Sequence, residues 1–165
     1  MLWRALALSA ALAFATPAVA QAPYGPIACV YDGLKPAERA RIDIDNIDSP
    51  ANAALLEPVF ETCMRRHKWP AELFAPVVVY TMHRLGFERA ENEIAQLGGK
   101  RGEVERVWTL LSEDQRASVT DSDVEAVAVI AKAAPSLASF AAAGVTALSN
   151  FTEMKRMEAA WARLG

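Results

Sequence analysis

The chain has 165 residues, of which 53% are hydrophobic and 22% are charged, and its net charge is −3 at pH 7. This length is typical of one ordinary domain that can bury a hydrophobic core. The weakly acidic balance, with no basic stripe, excludes the electrostatic pattern of proteins that bind nucleic acid or anionic membranes. We therefore expect no nucleic-acid partner.

Residues 1–20 have the arrangement of a secretory signal peptide. Arg4 precedes the apolar run ALALSAALAFA, and the small residues AVA end at Ala20. This run of 11 residues is shorter than the roughly 20 that a helix needs to cross a bilayer. We predict cleavage after Ala20, which removes one of the 17 basic residues and none of the 20 acidic ones and leaves a net charge of −4. No integral membrane segment is expected after cleavage.

The location expected for the mature chain is the bacterial periplasm or the medium outside the cell. Arginine outnumbers lysine and alanine is abundant, which indicates a GC-rich bacterial genome. A lipoprotein signal, which also ends at a cysteine, is an alternative because Cys29 follows Pro-Ile-Ala. Pro26 occupies a position where such signals have an aliphatic residue, and Cys29 lies far beyond the apolar run. The sequence therefore favours a soluble chain without a lipid.

After the signal peptide, residues 21–26 form a lead-in rich in proline and glycine that we predict to be extended and mobile. Residues 27–165 are predicted to form a single helical domain, because they show helical periodicity and no alternating strand pattern. The predicted class is all-α, an irregular bundle of six to nine short helices. The expected helices cover 36–44, 50–67 (bent near Pro58), 70–85, 87–97, 102–112, 113–119, 122–134, 136–148 and 152–163.

Three apolar stripes at helical spacing are predicted to face the core rather than a cofactor. They are Val104, Val107, Trp108 and Leu111; Phe151, Met154, Met157, Trp161 and Leu164; and Phe87, Ala90, Ile94 and Leu97. Ser49 is a predicted N-cap, Ser112 and Gln115 a predicted capping box, and Gly86 a predicted C-terminal stop. We also expect Pro58 and Pro76 to kink or split their helices.

The two cysteines of the mature chain, Cys29 and Cys63, are predicted to form a disulfide, because an even pair in an exported protein favours one. Cys63 is also four residues before His67, so a thiol nucleophile with His67 as its base is an alternative. A metal site made by Cys63, His67 and His83 is another, but the turn at 68–70 would place His83 far from Cys63. The cationic residues that follow Cys63 suit a helix C-terminus.

No motif of this sequence predicts a catalytic, cofactor-binding or metal site. Asp43, Asp45, Asn46 and Asp48 resemble the start of a calcium loop, but the required glycine is missing. The acidic residues near 121–125 lack it too. The sequence has no glycine-rich phosphate loop and no H-E-x-x-H zinc helix.

A weak internal duplication is possible. The strings at 34–42 and 111–119 share the pattern L-x-x-x-[EQ]-R-A-x-[IV], 77 residues apart. Two tandem half-domains would explain this pattern. The alternative is that both strings simply make good short helices.

For function, we expect a non-enzymatic binding, interaction or envelope structural module whose partner is a protein or a small apolar ligand. The alternative is an enzyme or small-ligand carrier whose site is assembled from residues distant in sequence. Such a site would bring together two carboxylates, or His83 and a carboxylate.

Overall fold

The computed structural model describes residues 24–121, 132 and 141–164. These residues form seven α-helices and one short 3₁₀ turn, and they contain no strand. The helices are α1 (Cys29–Gly33), α2 (Pro36–Arg39), α3 (Pro50–His67), α4 (Phe74–Gln96), α5 (Glu103–Leu110), α6 (Glu113–Asp121) and α7 (Ala141–Ala162), with the 3₁₀ turn at Ala71–Leu73. The predicted all-α class is confirmed. The predicted helix at 122–134 lies outside the described residues except for Lys132.

Two helix starts that were predicted from capping residues are confirmed. The Ser49 hydroxyl accepts a hydrogen bond from the Asn52 N–H at 3.2 Å, just before α3. At α6 the bonds are reciprocal, since Ser112 Oγ accepts from the Gln115 N–H at 3.2 Å and Gln115 Oε1 accepts from the Ser112 N–H at 2.9 Å. These bonds satisfy backbone donors that have no partner within the helix.

Two long helices end in left-handed turns. At the end of α4, Gly98 has φ +92° and the Gly99 N–H donates to the Ile94 carbonyl at 2.8 Å. At the end of α3, Lys68 has φ +55° and the Trp69 N–H donates to the Met64 carbonyl at 3.1 Å. Both ends have the 6→1 bond of a Schellman motif, but only the first has the glycine that this backbone conformation favours.

The predicted division of α4 at Gly86 is wrong, because α4 continues from Phe74 to Gln96. A Cβ at residue 86 would lie 2.9 Å from the side-chain amide of Asn150, so this glycine permits a close approach of α7. Pro76 does not split the helix either. It is the third residue of α4, where its missing N–H would have no helical partner.

A further predicted break is absent from the described helices. The expected helices 136–148 and 152–163 are continuous across 148–152, since both belong to α7 over the described residues. α3 has the predicted range, Pro50–His67, and is not split at Pro58, which has no N–H to donate. The Thr62 hydroxyl donates to the Pro58 carbonyl at 2.9 Å one turn later.

The core is centred on α4 and α7, which run antiparallel. The rings of Phe87 and Phe151 lie 5.2 Å apart, while Tyr80 reaches Glu158, so residue numbers rise along one helix as they fall along the other. The predicted core stripes are largely confirmed, with buried residues Phe87, Ala90, Ile94, Val104, Val107, Leu111, Phe151, Met154 and Trp161. Leu97 and Leu164 are the exceptions, since they are 58% and 51% exposed, and Trp108 and Met157 are partly buried.

The N-terminal segment, residues 24–33, is cross-linked to the rest of the fold by a disulfide. Cys29 and Cys63 form the predicted disulfide, with an S–S distance of 2.05 Å, and it joins α1 to α3. The Trp69 indole N–H donates to the Tyr24 carbonyl, and the Trp161 indole N–H donates to the Gly25 carbonyl at 2.8 Å. Residues 24–26 of the predicted lead-in are therefore held in place, whereas residues 21–23 and the predicted signal peptide lie outside the described residues.

The described helices do not support the predicted duplication. The string at 34–42 contains the short helix α2, whereas the string at 111–119 leads into the longer α6. With the same offset, residues 68–73 at the turn between α3 and α4 correspond to residues 145–150, which lie inside α7. Most of the counterpart of α3 lies outside the described part of the chain.

None of the described helices is both long enough and apolar enough to span a membrane.

Candidate functional site

An apolar groove of about 270 Å³ opens where the N-terminal segment meets α4 and α7. We call it the apolar groove. All seven of its lining side chains are apolar: Ile27, Leu73, Pro76, Met157, Ala160, Trp161 and Leu164. Such a surface can hold hydrocarbon but offers no charged group to orient it.

Three segments that are distant in sequence build the apolar groove. Ile27 precedes α1 and is positioned by the disulfide of Cys29, two residues later. Pro76 lies in the first turn of α4, and the other wall comes from the last turns of α7. The groove depends on the antiparallel packing of α4 and α7, which brings the beginning of one helix beside the end of the other.

Aromatic rings form a rigid wall behind the apolar groove. Trp161 is only 4% exposed and makes edge-on contacts with Tyr24 at 6.3 Å and Trp69 at 5.4 Å between ring centroids. Both indole N–H groups donate to backbone carbonyls of the N-terminal segment. Because its N–H is used internally, the Trp161 indole presents only its apolar ring to the groove.

A polar seam borders the apolar groove one turn further along α4. The Tyr80 hydroxyl donates to Glu158 Oε1 at 2.9 Å, and Lys155 Nζ donates to Glu158 Oε2 at 2.8 Å. Burial, followed by the Glu158 carboxylate, raises the pKa of Tyr80 above its ordinary value. Tyr80 therefore stays protonated and acts as a hydrogen-bond donor at neutral pH.

A second tyrosine, Tyr31 on α1, lies between the carboxylate of Glu88 on α4 and the guanidinium of Arg39 on α2. The Tyr31 hydroxyl donates to Glu88 at 2.6 Å and accepts from Arg39 at 2.6 Å, and Arg39 and Glu88 form an ion pair at 3.5 Å. Burial and the Glu88 carboxylate raise the pKa of Tyr31. The Arg84 guanidinium lies 5.2 Å from the centre of the Tyr31 ring.

The residues proposed for chemistry from sequence do not form a reactive site. Neither Cys29 nor Cys63 is a free thiol, so Cys63 is not available as a nucleophile. His67 stacks on Trp69, with ring centroids 5.7 Å apart. His83 Nδ1 lies 2.9 Å from the amide oxygen of Asn150 and has no carboxylate partner among the described residues.

The acidic loop at 43–48 is closed by a side chain rather than by a cation. Asn52 is fully buried; its amide nitrogen donates to the carbonyls of Asp43 and Asn46 at 2.7 and 2.9 Å, and its oxygen accepts from the Asp43 N–H at 2.9 Å. Within the described ranges no group of three or more histidine, cysteine or acidic residues could hold a metal ion.

Three residues that line the apolar groove were predicted from sequence, but as part of the hydrophobic core. Met157, Trp161 and Leu164 were predicted as a core face, and only Trp161 is fully buried. Side chains near the C-terminal end of this stripe are less buried, and their uncovered surfaces line the groove. Ile27 and Arg84 had no recognisable pattern, because their roles depend on neighbours from other helices.

Comparison with known proteins found no match: no family model, no curated protein and no solved structure matches this chain.

Proposed function

We propose that this protein is an exported helical binding protein that holds a small apolar ligand in the apolar groove. The observation that carries the proposal is the groove itself, which has an entirely apolar lining and a wall of packed aromatic rings. The described residues show no free thiol or metal cluster that would favour a reaction there.

The dimensions of the apolar groove limit the ligand. Pockets for drug-sized molecules span roughly 300–1,000 Å³, and this groove is about 270 Å³. A hydrocarbon chain or a single ring suits this space better than a large cofactor. Burying each CH₂ group stabilises a complex by about 0.8 kcal/mol before the cost of ordering is subtracted.

Two features support the export part of the proposal. The first 20 residues have the pattern of a cleaved signal peptide. Cys29 and Cys63 are joined, and disulfides persist in oxidising compartments such as the periplasm. Detection of the protein in a periplasmic or secreted fraction, with Gln21 as its first residue, is the expected result.

Calorimetric titration of the purified, delipidated protein with decanol tests the binding proposal. We expect saturable binding to the wild type and weaker binding, by tenfold or more, to Ala160→Trp, because the indole would fill the groove. Ala159→Trp is the matched control, since Ala159 is exposed next to Ala160 but does not line the groove. Absence of saturable binding, or equal binding by both variants, would contradict the proposal.

A further inference from the structure

Among the described residues, Arg84 differs from the other half-buried cations in having no hydrogen-bonded partner within that part of the chain. The described cations that are neither exposed nor fully buried are Arg39, Arg84, Arg89, Arg116 and Lys155. Arg39 and Lys155 contact carboxylates, and Arg89 and Arg116 donate to backbone carbonyls. Arg84 lies over the Tyr31 ring, and no hydrogen bond or ion pair joins its guanidinium to another described residue. No described residue accepts a hydrogen bond from its five N–H donors, which suits Arg84 to an outside acceptor.

Arg84 lies on α4 beyond the polar seam of Tyr80 and Glu158 that borders the apolar groove. Pro76, Tyr80 and Arg84 occupy successive turns of α4, and Pro76 lines the groove. Across the seam, Met157 lines the groove and the adjacent Glu158 bonds Tyr80. The N-terminal segment follows the same order, because Ile27 lines the groove and Tyr31, four residues later, lies beneath Arg84.

The carboxylates that interact with Tyr31 and Tyr80, the tyrosines beside Arg84, are already bound or are exposed to solvent. Glu158 is bonded by Tyr80 and Lys155, and Glu88 is bonded by Tyr31 and Arg39. Asp32 lies close enough to influence Tyr80 but is exposed and forms no ion pair with Arg84. A planar guanidinium that is stacked on a tyrosine and lacks an acid partner is suited to bidentate recognition of a carboxylate.

We propose that the ligand of this protein is a medium-chain fatty acid, with its hydrocarbon chain in the apolar groove and its carboxylate on Arg84. This inference rests on the proposed function, since it names the ligand of the same groove. Charge complementarity supports a fatty acid over a neutral hydrocarbon, because Arg84 is a half-buried cation with no ion-pair partner among the described residues and lies on the helix that contributes Pro76 to the groove.

The spacing along α4 sets the length of the chain. An α-helix rises about 1.5 Å per residue, so the separation of Pro76 and Arg84 corresponds to about 12 Å, roughly the length of a ten-carbon chain. Decanoate is therefore the probe of choice, and decanol is its uncharged counterpart. We expect acids much shorter than ten carbons to bind more weakly, since they could not both occupy the apolar groove and reach Arg84.

Comparison of decanoate with decanol separates this inference from the proposed function. A purely apolar groove favours the alcohol, because removing a carboxylate from water is costly unless it is paired. We expect the reverse order, with decanoate binding about tenfold more tightly than decanol to the wild-type protein. Equal or tighter binding of decanol would overturn the fatty-acid inference and leave the apolar groove as a binding site. Absence of binding by either ligand would reject both.

Substitution of Arg84 provides the second arm of the test. Arg84→Gln should weaken decanoate by about tenfold or more through loss of charge-assisted hydrogen bonds and leave decanol binding unchanged. Unchanged decanol binding also shows that the variant is folded. Arg163→Gln is the matched control, since Arg163 is next to the groove residue Leu164 at the opposite end. Loss of decanoate binding in Arg163→Gln but not in Arg84→Gln would overturn the assignment of the carboxylate to Arg84.

Discussion

Lys68 is the only described residue other than glycine that has a positive φ, and it ends α3. A side chain in this left-handed conformation costs about 1 kcal/mol, which glycine avoids. We therefore expect Lys68→Gly to raise the free energy of unfolding by roughly 0.5–1 kcal/mol, as measured by urea denaturation. Lys68→Ala is the control, because it removes the same charge and keeps a Cβ. An equal gain in both variants would show that the charge, and not the backbone, is responsible.

Ionisation of Tyr80 is expected to lower the free energy of unfolding at alkaline pH. Its pKa is raised in the folded state by burial and by Glu158, with a smaller opposing effect of Arg84. The folded protein thus retains this proton at pH values where the unfolded chain, with a pKa near 10, releases it. The resulting stabilisation is complete below about pH 10 and is lost as the pH rises toward the folded pKa.

We expect Tyr80→Phe to flatten this alkaline loss. Urea denaturation at several pH values between about 9 and 11.5 should show a smaller decrease in the free energy of unfolding for the variant than for the wild type. Both proteins also contain Tyr31 and the lysines, so their contributions cancel in the comparison. Parallel curves for the two proteins would contradict the assignment of the effect to Tyr80.

Single residues could be predicted from sequence where their roles are local or are limited by number. Ser49 and Ser112 are recognisable as caps because their bonds reach only three residues along the chain. Cys29 and Cys63 had only each other as partners in the mature chain. The roles of Arg84 and Asn52 could not be predicted, because the first depends on α1 and the second on a loop that folds back onto α3.

At the scale of helices, Gly86 shows why sequence punctuation misleads. Glycine is common just after a helix, and this signal predicted an end that does not exist. The actual reason for the glycine is the approach of α7, where Asn150 bonds His83 and the Thr146 carbonyl. Pro76 was misread in the same way, since the start of α4 at Phe74 leaves it in the first turn. Local residues predict where helices exist better than where they begin and end.

Substitution of Gly86 tests the close contact between α4 and α7. In an exposed helix, Gly→Ala would stabilise by about 1 kcal/mol. Here the new methyl group would collide with Asn150, so we expect Gly86→Ala to lower the free energy of unfolding by roughly 1–2 kcal/mol. The double variant Gly86→Ala/Asn150→Ala should be more stable than Asn150→Ala alone, because the Asn150 amide that the new methyl group would meet is gone. Additive effects of the two substitutions would contradict this account.

At the scale of the whole molecule, the disulfide joins residues 34 positions apart and fastens the N-terminal segment that carries Ile27. In the chain-entropy model, closing a loop of this size stabilises the fold by about 3–4 kcal/mol. We expect the Cys29→Ala/Cys63→Ala variant to lose about this much free energy of unfolding and to bind apolar ligand more weakly, since Ile27 lines the groove. As a control, the wild type under reducing conditions should behave like the variant. Unchanged stability in both would contradict the assigned role.

The apolar groove could not be predicted from the sequence, although the helices around it largely could. Its lining residues come from the N-terminal segment, the start of α4 and the end of α7. The periodicity of each segment indicates which face is apolar, but it does not indicate that the three faces leave a space between them. That space depends on the antiparallel arrangement of α4 and α7, which is a long-range property.

The bond from the Trp161 indole to the Gly25 carbonyl links positions 136 residues apart. The first described residues therefore cannot complete their contacts until nearly the whole chain has been synthesised. A protein translocated through a narrow channel must remain unfolded until it emerges, and this late closure meets that requirement. If the proposed signal peptide directs export, this contact and the Cys29–Cys63 disulfide would both form on the far side of the membrane.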